Sequence, residues 1–380
     1  MLMRKVTIAL SLAIAGAPAF GQEPRPALFD EESIFDRVET VFPETLDVPF
    51  VERREVSLGI DGEMVDVGDA ELYVARVGRE DGVPVVAITG GPGTSHHYFH
   101  GYMDRLEAMA PVIYFDQRGV GLSDYKRPEG GYTIMQDVED LEALRTALGI
   151  DRWVLLGYSF GGLTAALYST QYPEATAGVI LMSSIAPFDI DVGLGERQFG
   201  YMTQAERDRV LDFYSVNGKP AVPAHTDDIS AELQMVKVYN GYKNGDWKRR
   251  WMYKPPEEKF ALFARYEWRH DKNYYAEMIA DGDRYDLRGV FNISPIPMLI
   301  AEGEWDVSFG KQKAGVMASQ FPNADLVYSR HAGHRIFQDD PDLFYAAVGE
   351  FLNQDFEIDA DALNDWKHQL QFMSGMYNPD

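Results

Sequence analysis

The stretch Val154-Leu155-Leu156-Gly157-Tyr158-Ser159-Phe160-Gly161-Gly162 decides how this chain is read. Its first residues form an apolar run suited to a buried strand. Its end, continued by the small and apolar residues 163–168, suits a helix. Between the two stands Gly-x-Ser-x-Gly. A serine on so tight a strand-to-helix turn sits in a strained backbone conformation, and its neighbours must be small for strand and helix to close around it. The turn exposes the serine Oγ at the carboxyl end of a strand, beside a helix N-terminus that favours developing negative charge. Ser159 is therefore the candidate nucleophile.

The alternation of strand and helix extends outward from this turn. Residues 84–88 are a continuous apolar run, suited to a strand buried on both faces, and they end in Thr89-Gly90-Gly91-Pro92-Gly93. A phosphate-binding loop needs a Lys-Ser/Thr pair that this turn lacks. Glycines here instead let backbone N–H groups approach a substrate oxygen. Gly91 and Phe160, the residue after Ser159, are the candidate oxyanion donors. Residues 112–115 read as the next strand, followed by Asp116-Gln117-Arg118-Gly119-Val120-Gly121-Leu122-Ser123. Residues 135–148 show helical spacing and stop at Gly149, and residues 178–182 are again a strand. Such alternation predicts an α/β fold with a mostly parallel, doubly wound sheet, whose ligands bind at the strands' carboxyl ends.

Outside this core the pattern changes. Residues 52–58 and 71–77 alternate, with Asp61-Gly62 as a turn signal, and predict the first antiparallel strands. Residues 187–290 lose the strand-like runs and become dense in aromatic and charged residues, which predicts an inserted helical cap. Residues 296–301 and 324–328 restore buried strands, and residues 342–352 form an amphipathic helix. The core is thus expected over 22–186 and 291–380, with a tail after 353 that carries no functional signal.

The chain has 380 residues and a formal net charge of −25, which argues against nucleic acid or an anionic membrane surface as partner. With no cysteine, disulfides, thiolate nucleophiles and Cys-ligated metals are excluded. Arg4-Lys5, the apolar residues 6–15 and the small residues around Ala17-Pro18-Ala19 predict a secretory signal peptide over residues 1–21. No other stretch is long and apolar enough for a membrane helix, so an exported protein, periplasmic or secreted, with no membrane span after processing is expected.

A serine hydroxyl needs a base within hydrogen-bond reach, and the base needs an orienting carboxylate. Asp306 lies just past the strand at 296–301, and His334 just past the strand at 324–328, both at the edge that carries Ser159. Ala332-Gly333 favours His334 over His331 by letting the loop deliver it closely. Asp306 is favoured over Glu302, at the strand end, and Glu304. His96, His97 and His100 lack a carboxylate at metal-site spacing, so no metal and no cofactor is expected.

Gly90-Gly91-Pro92-Gly93, Asp116-Gln117-Arg118-Gly119-x-Gly121-x-Ser123, Gly157-x-Ser159-x-Gly161-Gly162, Gly303-x-x-Asp306 and Ala332-Gly333-His334 together resemble the proline iminopeptidases, serine exopeptidases with the α/β-hydrolase fold. The resemblance spans residues 55 to 350. It implies release of an N-terminal residue, often proline, from a small peptide or amide with a free N-terminus. It also carries the amine-binding role onto Glu267, within Phe263-Ala264-Arg265-Tyr266-Glu267-Trp268-Arg269-His270. Trp251 and Tyr158 are expected at the substrate. Thr89 departs from the family's histidine at that position, and Met252 stands after Trp251 where the second amine-binding glutamate belongs. The same triad also suits an esterase or lactonase, and a non-catalytic binding protein is the reading from another class.

Overall fold

The computed structural model describes residues 62–99, 102–185, 215–216, 219–220, 270–303, 306, 313–330 and 332–377. Strands β1 (Glu63–Asp66), β2 (Glu71–Gly78), β3 (Val85–Ile88), β4 (Pro111–Phe115), β5 (Trp153–Tyr158) and β6 (Thr176–Met182) come first. A two-residue ladder, β7 (Ser215–Val216) with β8 (Lys219–Pro220), stands apart from them. Strands β9 (Met298–Gly303) and β10 (Asp325–Ser329) complete an eight-stranded sheet in the order β1-β2-β4-β3-β5-β6-β9-β10. β2 pairs antiparallel with both β1 and β4; in sheet order from β4 to β10 every pairing is parallel.

The parallel strands are buried on both faces, which is why they read as unbroken apolar runs. Val86 and Ile88 join one hydrophobic cluster, while Val85 and Ala87 join the other across the sheet. Helices α2 (Ile134–Ala147), α3 (Gly161–Gln171) and α4 (Tyr274–Gly282) contribute to the first cluster. Helix α7 (Pro341–Leu352) packs on the second. The short helices α1 (Asp104–Glu107), α5 (Lys313–Gln320) and α6 (Ile336–Asp339) fill the connections.

Two expectations shift. The strand that pairs with β2 is Glu63–Asp66, turning through Gly68 at φ +112°, where the Asp66 carboxylate accepts the Gly68 N–H at 2.7 Å. The turn therefore follows Asp66 rather than lying at Asp61-Gly62, and residues 52–58 lie outside the described residues. Within the expected cap span, residues 270–290 pack into the core: Tyr274, Met278, Tyr285, Leu287 and Val290 belong to the first cluster. Most of residues 187–269, and the whole of 1–21, lie outside the described residues. Among the described residues no helix is long and apolar enough to cross a membrane.

Candidate active site

Ser159 stands at the carboxyl end of β5 with φ +54°, the left-handed conformation that non-glycine residues rarely adopt. Local hydrogen bonds hold it there. Its N–H donates to Met182 O at 3.1 Å, and its carbonyl accepts from Gly162 and Ile185, each at 3.1 Å. The motif glycines are required by contact: a β-carbon on Gly157 would lie 2.7 Å from Gly162 Cα, and one on Gly161 would lie 2.6 Å from Ile88 O.

The sheet brings three distant side chains together. His334 Nε2 lies 3.1 Å from Ser159 Oγ, and His334 Nδ1 lies 2.9 Å from Asp306 Oδ2. A carboxylate only accepts, so Nδ1 carries the proton and Nε2 offers its lone pair to the serine hydroxyl. The loop bearing His334 is itself tied down, since Gly333 N–H donates to Asp339 Oδ2 at 2.8 Å. Ser159, Asp306 and His334 are all buried. Glu302, the rival acid, is buried within β9 opposite Tyr328, while Glu304 and His331 lie outside the described residues.

Phe160 follows the serine in sequence, and Gly91 lies one residue beyond Gly90 in the glycine loop. A β-carbon on Gly90 would lie 2.6 Å from Ser159 Cβ and 3.1 Å from Phe160 N, so the glycine loop touches the elbow backbone. The Gly90 carbonyl is turned into its own loop, where it accepts from Thr94 N–H at 3.1 Å and Thr94 Oγ1 at 2.7 Å. Across a trans peptide the Gly91 N–H then points to the other side. Phe160, just before α3, presents its N–H at that helix's positive end. Thr89 closes the loop: its Oγ1 donates to Thr94 O at 2.5 Å, with Gln117 Oε1 3.2 Å away.

The Asp116–Ser123 motif proves to be the support of this loop. The buried Asp116 carboxylate accepts His96 N–H and His96 Nδ1–H, both at 2.7 Å, and Leu122 N–H at 2.8 Å. Burial works against its charge, but His96 and these backbone donors prevail, and the carboxyl sits below its ordinary range. Ser123 Oγ donates to Asp116 O at 2.6 Å and accepts Tyr73 N–H at 2.8 Å. Arg118 makes a two-pronged pair with Asp140 at 2.8 and 2.7 Å and reaches Asp69 at 2.6 Å.

Tyr158, expected at the substrate, lies buried behind the imidazole, with ring centroids 5.0 Å from His334 and its hydroxyl bonded to that of Tyr98. The Arg335 guanidinium lies 4.1 Å over the Tyr98 ring. Strand periodicity explains the placement, because the side chain before the elbow serine points to the opposite face of the sheet from its neighbour in β5. Glu267 and Trp251 lie outside the described residues. The motif containing Asp116 stood out in the sequence without a role, and the Tyr98–Arg335 stack had no sequence signal.

A family model described as alpha/beta hydrolase fold matches residues 83–341. The chain belongs to that family. Among curated relatives it is similar to a proline iminopeptidase of Thermoplasma volcanium, 24% identical over 310 residues, covering 79% of this chain and 99% of the relative. Among solved structures it is similar to proline iminopeptidase from Mycobacterium smegmatis, with TM-score 0.57 and 21% identity over 77% of this chain and 98% of that one. An esterase from Exiguobacterium antarcticum superposes with TM-score 0.56 and 21% identity, covering 77% of this chain and 100% of that one. At such identity the solved structures speak for the fold alone.

Proposed function

We propose that the protein is an exported serine aminopeptidase that releases an N-terminal residue, proline above all, from small peptides. The observation that carries the reading is the chain of contacts from Ser159 Oγ through the imidazole of His334 to the Asp306 carboxylate. The curated relatives named proline iminopeptidase supply the substrate class.

In this reading His334 Nε2 takes the Ser159 proton as Oγ adds to the scissile carbonyl. The Gly91 and Phe160 N–H groups receive the oxyanion, and Asp306 stabilises the imidazolium. His334 then gives the proton to the leaving amine, leaving an acyl group on Ser159. Water, deprotonated by the same nitrogen, releases the acid and restores the serine. Glu267 pairs with the substrate ammonium, a contact that fixes the reacting bond. Residues 1–21 direct export.

The test is a panel of aminoacyl arylamides, their N-acylated forms and simple aryl esters. Cleavage of proline arylamide, loss of it on N-acylation, and loss of all turnover in Ser159→Ala are expected. Turnover surviving in Ser159→Ala would refute the nucleophile. Ester cleavage with indifference to the free amine would assign the same triad to an esterase.

A further inference from the structure

We propose that His270 is a positioning residue for the oxyanion loop, a claim that rests on the serine-hydrolase reading above. His270 stands four residues before α4, where the chain re-enters the core. Its backbone is fastened to the loop after β4: an antiparallel bridge joins it to Val120, and Asp271 N–H donates to Gly119 O at 2.7 Å. Its ring is fastened as well, because Nδ1 lies 2.7 Å from Asp271 O, a carbonyl that can only accept. Burial lowers the imidazole's proton affinity, offset only in part by Asp271, so the ring is neutral around pH 7.

This fixed ring fills the place of the side chain that Gly93 lacks. A β-carbon on Gly93 would lie 2.8 Å from His270 Cδ2 and 3.0 Å from Cγ. Tyr274 closes the same place, 3.2 Å away at Cδ1, and its hydroxyl is anchored on Asp137 at 2.8 Å. Gly93 itself is held at φ +95°, two residues from Gly91 and inside the turn that Thr94 closes onto Gly90. The loop is therefore gripped from two sides. Asp116 and Gln117 hold its flanks, and the His270 ring presses on its tip. Packed contacts of this kind transmit sub-ångström shifts, and oxyanion donors are sensitive to such shifts because their benefit is realised only at the transition state.

The experiment compares His270→Ala and His270→Phe with the parent, using proline arylamide and an aryl acetate as substrates. Phenylboronic acid serves as the probe of the tetrahedral state, because it adds to a serine nucleophile whatever the leaving group. In His270→Ala we expect kcat to fall about tenfold to a hundredfold with KM within about threefold. Boronate inhibition should weaken by the same factor as kcat/KM. His270→Phe, which restores a ring over Gly93, should recover most of the loss. Unchanged kcat and boronate affinity in His270→Ala would overturn the proposal, as would a rise in KM alone. If the alanine variant does not fold, His270→Asn, which keeps an N–H for Asp271 O but has no ring, is held to the same criteria. Loss of turnover in Ser159→Ala alongside an inert His270 refutes only this proposal. Turnover surviving in Ser159→Ala refutes the reading beneath it.

Discussion

Gly303 lies against the backbone of the histidine loop, so closely that a β-carbon on it would come within 2.5 Å of Ala332 O. The two strands preceding these loops run in parallel register, with Ser329 opposite Gly303. That contact sets how near the Asp306 loop comes to the His334 loop. Gly303→Ala should push them apart. Overpacking of this kind costs about 1–3 kcal/mol. Because displacement by an ångström is worth about a hundredfold in rate, kcat should fall further than the stability loss explains. Thermal melting and steady-state kinetics on the same preparation check this; a variant with parental kcat would show that the two loops find their places independently.

Asp137 is buried on α2 and accepts the Tyr274 hydroxyl at 2.8 Å. Burial, reinforced by the like charge of Asp140, holds its carboxyl well above the ordinary value of 3.8, against the pull of the Tyr274 hydrogen bond. A folded-state pKa above the unfolded one means that its contribution to stability is complete below about pH 3.8 and is lost as pH rises through the folded value. Asp137→Asn cannot ionise. Its stability relative to the parent should therefore climb with pH above about 4 and then level off, as read by urea denaturation across that range. A constant difference at every pH would contradict the assignment. Asp116 runs the other way: its lowered pKa gives stability above about pH 3.8 that is lost in acid.

Helix α8 (Ala360–Tyr377) puts Trp366, with no exposed surface, into the first hydrophobic cluster. The indole Nε1 donates to Val290 O at 2.8 Å, and the ring centroid lies 5.9 Å from that of Phe291. Trp366→Ala should cost about 3–5 kcal/mol of stability. Turnover per folded molecule should stay unchanged, because the indole's hydrogen bond and ring contact go to Val290 and Phe291 and not to the triad. Chemical denaturation and active-site titration separate the two quantities. A fall in kcat without a fall in stability would give the tail a part in the chemistry.

The strands legible in the sequence were those buried on both faces, such as β3, β5 and β6, because two-sided burial demands an unbroken apolar run. The strand Glu63–Asp66 is not legible in the sequence because it lies at the sheet edge, largely exposed, and its residues carry no apolar pattern. Only its pairing with β2 makes it a strand. Likewise the bond between the Tyr158 and Tyr98 hydroxyls joins residues sixty apart and has no local signal in the sequence.

By itself the sequence determined which chemical groups are available and in what order: a serine on a glycine-bounded turn, then an acid, then a histidine, each just past a strand. Those are local properties, set by side-chain chemistry and backbone sterics within a few residues. The tertiary structure alone decided that His334 reaches both Ser159 and Asp306, that Asp116 grips His96, and that His270 stands over Gly93. These contacts join residues far apart in the chain. Their distances follow from sheet order, register and close packing, none of which is a property of any short stretch.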